Sequence, residues 1–198
     1  MRCLELFSGT GSVGKLLKKR GHEVISLDLK GADINCDILD WDYKKYKPGH
    51  FTYIHSSPPC DTFSTCRKSW FGRRLKAHNM EIFTREQFEQ DQLSIGVPIL
   101  NKTLEIIKYF NPKYWTLENP QTGDMKRWID KEFEYTDVDY CRYGFLYRKR
   151  TRIWNNFGFK GLLCNKICGN IVDGKHIQAL GRTDTLSMAT RYSIPPKL

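Results

Sequence analysis

Arg2-Cys3-Leu4-Glu5-Leu6-Phe7-Ser8-Gly9-Thr10-Gly11 stands at the start of the chain, and its reading decides the fold. A short apolar run that breaks into a glycine-containing turn reads as a strand leaving a sheet. Val13, Leu16 and Leu17 then recur at helical spacing until Gly21 stops the helix. Further units of the same kind follow. Glu23–Asp28, Phe51–Ser56 and Tyr114–Glu118 read as strands, and Leu93–Phe110 carries a helical apolar pattern despite Gly96 and Pro98 near its start. Strand–helix alternation at this spacing predicts an α/β fold with a doubly wound, mostly parallel, Rossmann-like sheet. Tyr135–Cys141 and Arg152–Asn156 read as two more strands with a basic stretch between them. The Gly-, Asn- and Cys-rich segment 157–182 predicts a small irregular C-terminal subdomain.

The chain has 198 residues, 40% of them hydrophobic and 13% aromatic, which is room for one domain with a core of its own. No run approaches the roughly 18 apolar residues of a membrane helix, so no membrane partner is expected. Seven cysteines without dense spacing point to reduced thiols and an intracellular protein. Oligomeric state is not legible. The formal net charge is +10. The excess gathers at Arg67-Lys68, at Arg73-Arg74-Leu75-Lys76 and across Arg142–Arg152, where Trp70, Phe71, Tyr143, Phe145 and Tyr147 are interleaved. Such patches suit nucleic acid, although a solvated basic face is the plainer alternative. The segment Thr62–Gln92 shows little periodicity, and a loop of that length is usually functional or mobile.

Three features carry chemistry. Gly9-x-Gly11 lets backbone approach a ligand at a helix N-terminus, although many strand–turn–helix joints use glycine for the turn alone. Asp28, roughly 20 positions after that loop begins, is placed to bond ribose hydroxyls, and a solvated strand end is the equal alternative. Cys60 follows Pro58-Pro59 at the C-terminal end of a strand, and Glu118-Asn119-Pro120 ends another. A lone cysteine is more often a packing residue. A thiol and a carboxyl over one sheet edge suit covalent addition to a ring with an acid beside it.

In this order the motifs resemble those of the DNA (cytosine-5) methyltransferase family. Leu6-Phe7-Ser8-Gly9-x-Gly11 resembles its cofactor loop, and Pro58-Pro59-Cys60-x-x-Phe63-Ser64 its nucleophile motif. Glu118-Asn119-Pro120 resembles its catalytic glutamate motif, Tyr143-Gly144 with Arg150-x-Arg152-Ile153-Trp154 its double-arginine motif, and Arg191–Leu198 its closing motif. The shortened forms look most like compact members from large DNA viruses and phages. The resemblance implies the class I methyltransferase fold and S-adenosylmethionine as cofactor, held by Phe7, Ser8, Gly9, Thr10, Gly11 and Ser12. It places the ribose at Asp28 and Leu29, the adenine near Asp37 and Ile38, and the methionine end near Pro59.

It further implies a cytosine flipped out of duplex DNA, Cys60 as nucleophile at C6 and Glu118 as acid at N3. Arg150 and Arg152 would hold the base and its phosphate and help lower the thiol pKa. By themselves these arginines read as generic backbone binders. Asp61 stands where the family often has Gln, Arg148 where Gln is usual before the arginines, and Leu146 where Pro is common. Only a short stretch separates Trp154 from Arg191, leaving no room for the family's target-recognition domain. Target reading would therefore fall to Thr62–Gln92 and the small subdomain. The implied organisation is a catalytic domain of 1–156 with 183–198, and an insert of 157–182.

Within that insert, Cys164-x3-Cys168 followed by His176, with Cys141 as fourth donor, has the ligand types and spacings of a structural zinc. Unrelated core and surface residues are the alternative. RNA methylation by the same chemistry and a catalytically silent nucleic-acid-binding relative are the competing functions. A dinucleotide oxidoreductase would lack the third glycine and leave Cys60 and Glu118 unexplained.

Overall fold

The computed structural model describes residues 1–129, 131–179 and 186–198. In chain order the elements are β1 (Arg2–Leu6), α1 (Ser12–Lys19), β2 (Glu23–Asp28), β3 (Ile34–Asn35), β4 (Tyr53–Ser56), β5 (Arg74–Leu75), β6 (Glu81–Ile82), α2 (Arg85–Asp91), α3 (Val97–Phe110), β7 (Tyr114–Pro120), β8 (Tyr135–Asp139), β9 (Arg150–Asn155), β10 (Ile171–Val172), β11 (Lys175–His176) and α4 (Met188–Tyr192). The main sheet runs β3-β2-β1-β4-β7-β9-β8. β1, β2, β3, β4 and β7 pair in parallel, while β9 runs antiparallel to both β7 and β8. The strand order reverses at β1, and its two neighbours β2 and β4 leave a crevice at their C-terminal ends, the usual ligand position of open α/β sheets. The class I methyltransferase sheet expected from the motifs is therefore present.

The two faces of the sheet differ. Leu4, Leu6, Ile54, Leu117 and Trp154 point to one side and join Leu100, Ile106, Ile107 and Phe110 of α3 in the principal core. On the other side Glu5, His55, Thr116 and Glu118 are buried polar groups. There, Val13, Leu16 and Leu17 of α1 and the tail Ile194–Leu198 border a cavity of about 450 Å³.

Two expectations change. The segment Thr62–Gln92 is folded, not loop-like: it holds short 3-10 turns, the β5–β6 hairpin and α2 with a capping box at Thr84. Its order comes from an aromatic cluster. Phe83 lies 5.7 Å from Phe71, 6.4 Å from Phe88 and 4.9 Å from His78, with the Arg67 guanidinium 4.8 Å from its ring. These contacts join residues with no common period, so periodicity could not reveal them. Arg67 pairs with Asp91, and Lys68 with Asp124 at 3.1 Å ties the module to the body.

The helix expected from Leu93 begins as α-helix only at Val97, after a π-helical turn at Gln92–Gly96. Gly96 meets the turn beyond Cys60 closely: a Cβ there would lie 2.7 Å from Phe63 Cζ. That close approach requires glycine. In the insert, β10 and β11 form a hairpin; the expected boundary at 182–183 lies outside the described residues.

Candidate active site

The site is assembled at the C-terminal ends of β1, β4 and β7. After β1 the backbone enters the left-handed region at Phe7 (φ 59°), Gly9 (φ 48°) and Gly11 (φ 65°). Such a conformation is unusual for Phe7 and is the kind of strain found in ligand loops. Asp28 at the end of β2 secures this loop, its two oxygens accepting the N–H groups of Gly9 at 2.8 Å and Leu29 at 2.7 Å. Each oxygen retains a lone pair, so the carboxylate can still accept hydroxyls.

The loop carrying Cys60 is tied to its neighbours on both sides. Ser57 N–H donates to Leu6 O at 3.3 Å, and Asn119 Nδ2 donates to Pro58 O at 3.1 Å. Beyond Cys60 the chain turns through Asp61–Phe63, with Phe63 N–H donating to Cys60 O at 3.1 Å. Phe63 is sunk in the principal core. Two prolines before Cys60 and a buried phenylalanine after it fix where the thiol lies.

Cys60 and Glu118 line one cavity of about 320 Å³ together with Phe7, Ser8, Gly9 and Asp28. Thr10, Ser12 and Pro59 also border it. The expected nucleophile, the expected acid and most of the expected cofactor loop therefore share a space. Burial pushes the Cys60 thiol up; Lys149 opposes this, while Glu118 and Asp61 add to it. The resting thiol is thus protonated near neutral pH.

Arg150 and Arg152 occupy a different position from the one expected. Residues opposite one another in an antiparallel pair place their side chains on the same face. Glu118 faces Ile153, and Arg152 faces Asn119, so Arg150 and Arg152 project to the side away from Glu118. Arg150 makes a bidentate pair with Asp139 at 2.8 and 3.0 Å, and Arg152 one with Asp137 at 2.8 and 3.1 Å. Neither lines the cavity, and neither acts on the thiol. Among the described residues, the cation lining the pocket is Lys149, whose Nζ donates to Arg191 O at 3.3 Å. Strand alternation is the signal that separates it from the arginines, because 149, 151 and 153 share a face.

Gly11, Leu29, Asp37 and Ile38 also lie outside the cavity lining. Ile38 is buried in the principal core, the Asp37 carboxylate accepts Leu39 N–H at 2.9 Å, and Leu29 is exposed.

Two residues not anticipated adjoin the site: His55 lines the cavity, and Tyr140 lies outside its lining but in contact with Glu118. His55 is hydrogen-bonded through Nδ1 to Thr116 Oγ1 at 2.8 Å and through Nε2 to Ser57 Oγ at 3.0 Å. Burial lowers its pKa to about 4, so the imidazole is neutral. Tyr140, wholly buried, directs its hydroxyl to Glu118 Oε2 at 3.5 Å. Neither belongs to a motif, and only the sheet brings them to the site.

Beyond the pocket, the donor atoms of Cys141, Cys164, Cys168 and His176 all lie within 4.8 Å of one another. His176 Nε2 is 3.6 Å from both Cys164 Sγ and Cys168 Sγ. Burial pushes the Cys141 thiol up. Burial also works against ionisation of Cys164, but hydrogen bonds from His176, Cys141 and Cys168 outweigh it and bring that thiol down to about 6. Three thiols and an imidazole gathered this closely have the donor chemistry of a structural zinc site.

No family model matches the chain. Over 215 aligned residues it is 38% identical to a protein of Frog virus 3 (isolate Goorha) named as a DNA (cytosine-5)-methyltransferase, covering 100% of this chain and 96% of that one. Two solved structures share the fold. One, described as a DNA modification methyltransferase encoded within a prophage of E. coli, matches with a TM-score of 0.50 and 11% identity. The match covers 78% of this chain and 46% of that one. The other, the S. pombe Dnmt2 methyltransferase, matches with a TM-score of 0.50 and 16% identity over 82% of this chain and 51% of its own. The chain thus spans about half of each solved structure but nearly all of the viral relative. With the nucleophile and glutamate motifs converging on one pocket of a methyltransferase sheet, this full-length similarity establishes that the chain belongs to the DNA (cytosine-5)-methyltransferase family.

Proposed function

We propose that this enzyme methylates C5 of cytosine in DNA, using S-adenosylmethionine and a transient covalent bond between Cys60 Sγ and cytosine C6. The observation that carries this reading is the shared cavity of Cys60, Glu118, Asp28 and the Phe7–Ser12 loop at the sheet's C-terminal edge. Its residues fit the cofactor: Asp28 has acceptor capacity for hydroxyls, and the loop bends backbone close to the space. Phe7, Ser8, Gly9, Thr10, Gly11, Ser12, Asp28 and Pro59 would hold S-adenosylmethionine, which supplies the methyl group as an electrophile.

The substrate cytosine leaves the DNA stack to reach a pocket this enclosed. Cys60, protonated at rest, loses its proton as the base docks, with Lys149 favouring the thiolate. Sγ then bonds to C6, the C5–C6 π pair moves to C5, and Glu118 delivers a proton to N3. C5 would accept the methyl group as the cofactor's methyl–sulfonium bond breaks; loss of the C5 proton to solvent re-forms the C5–C6 double bond and expels Cys60 as thiolate, and N3 returns its proton to Glu118. Asn119 holds the Pro58 carbonyl and so keeps the thiol loop against the strand bearing Glu118. Arg150 and Arg152, on the face of β9 away from Glu118, tie that strand to the 135–139 strand through Asp139 and Asp137 instead of acting on the thiol. The Cys141, Cys164, Cys168 and His176 cluster has the donors that would hold a structural zinc, which would close the insert.

Trapping tests the reaction. With S-adenosylmethionine, DNA carrying 5-fluorocytosine should form a stable adduct with the wild-type protein and none with Cys60→Ser. Adduct formation that survives Cys60→Ser, or none in the wild type, refutes the reading. Single-stranded DNA and tRNA run in parallel identify the preferred nucleic acid, and a strong preference for tRNA refutes DNA as substrate.

A further inference from the structure

Tyr140 stands between the metal cluster and the reaction pocket. Its hydroxyl reaches Glu118, its ring lies 5.0 Å from the Lys149 ammonium, and its N–H donates to Lys149 O at 3.1 Å. The residue after it is Cys141, one of the four donors. The residue before it, Asp139, accepts the N–H of a second donor, Cys164, at 2.7 Å. Two of the four donors therefore grip the Tyr140–Tyr143 turn from either side. Arg142 Nη1 to Ile167 O at 3.1 Å and Asn170 Nδ2 to Phe145 O at 2.9 Å dock the same hairpin module onto that turn.

The module has little apolar packing to hold it. Of residues 157–179, only Cys164 is buried. A segment without an apolar core cannot maintain these contacts unless a crosslink closes it, and thiolate–imidazole coordination is such a crosslink.

We propose that metal bound by Cys141, Cys164, Cys168 and His176 fixes Tyr140 as the positioning residue for Glu118 and Lys149, so that metal occupancy governs the chemical step. This rests on the reading of Glu118 as the acid and of the cluster as a zinc site. With the turn closed, the Tyr140 hydroxyl engages Oε2 and leaves Oε1 of Glu118 for the base. With the turn open, the carboxyl and the ammonium are without their common neighbour while the Phe7–Ser12 loop, on other strands, is untouched. Metal loss should therefore lower kcat and spare cofactor affinity.

The test uses the full chain, zinc analysis of the purified protein, and cobalt(II) as a spectroscopic probe of thiolate ligation. Wild-type protein should contain one zinc and, after exchange, show a thiolate-to-cobalt charge-transfer band. Tyr140→Phe, which preserves shape, should keep the band and the KM for S-adenosylmethionine to within about twofold, yet lose about tenfold in kcat. Cys168→Ser should lose the band and show a comparable fall in kcat, and His176→Cys, which restores a fourth ligand, should keep both. A wild-type protein that takes up neither zinc nor cobalt overturns the proposal, as does wild-type kcat in Tyr140→Phe. If Cys168→Ser does not fold, as judged by thermal melting, Tyr140→Phe still decides the matter. The 5-fluorocytosine adduct separates the two failures: a wild type that forms it while Tyr140→Phe turns over normally loses only the positioning role.

Discussion

Acidifying the protein should expose the neutral state of His55. The imidazole is buried between Thr116 and Ser57, and burial carries its pKa from the usual 6.5 to about 4. Between those values the unfolded chain binds a proton that the folded one refuses. The contribution of this group is therefore fully present above pH 6.5 and is lost as the pH falls through the window toward 4. The whole gap corresponds to about 3 kcal/mol, of which about 2 kcal/mol is lost between pH 7 and pH 5. Urea denaturation at closely spaced pH values measures this directly, provided the slope with urea stays constant. Buried Glu5, whose pKa burial raises, acts in the opposite direction. It is present in every variant, so comparison with His55→Gln isolates the imidazole. The wild type should lose about 2 kcal/mol more than His55→Gln from pH 7 to pH 5. Parallel curves for the two proteins would refute the reasoning. Because His55 also holds Ser57, three residues before Cys60, His55→Gln should slow formation of the 5-fluorocytosine adduct even at neutral pH.

Gly96→Ala should cost about 1–3 kcal/mol by overpacking against Phe63, lowering the Tm by about 2–4 °C for each kcal/mol. It should also retard trapping by Cys60, because Phe63 anchors the turn that carries the thiol; wild-type melting would contradict the close approach. Arg73→Ala with Arg74→Ala removes two exposed cations from the module between Cys60 and α2. DNA binding followed at several salt concentrations should weaken, and the salt dependence should become shallower by about one unit for each phosphate that is no longer neutralised. An unchanged slope would place the DNA elsewhere.

Much of the candidate site was legible in one dimension. Strand ends announced by Ser8-Gly9-Thr10-Gly11, Pro58-Pro59-Cys60 and Glu118-Asn119-Pro120 are local signals, and a parallel sheet brings the C-terminal ends of its strands to one edge. Once alternation identified the sheet, the meeting of Cys60 with Glu118 followed. The donor set Cys141, Cys164, Cys168 and His176 was legible for a related reason: donor chemistry and spacing narrow the choice of partners.

The remainder depended on direction and long-range packing, which sequence does not carry. Arg150 and Arg152 looked like pocket residues, but strand register turns them to Asp139 and Asp137 and gives the pocket to Lys149. A single step in a strand reverses the face, and only the pairing of β9 with β7 fixes which step applies. The folded module after Cys60 was hidden because Phe71, Phe83 and Phe88 meet without any period. Tyr140 and His55 carry no motif; they reach the site because sheet neighbours distant in sequence enclose them. The sequence by itself thus determined which groups could react and on what kind of sheet. Tertiary structure decided which cation faces the thiol and what holds the acid in place, because those depend on pairing register and on packing between residues far apart along the chain.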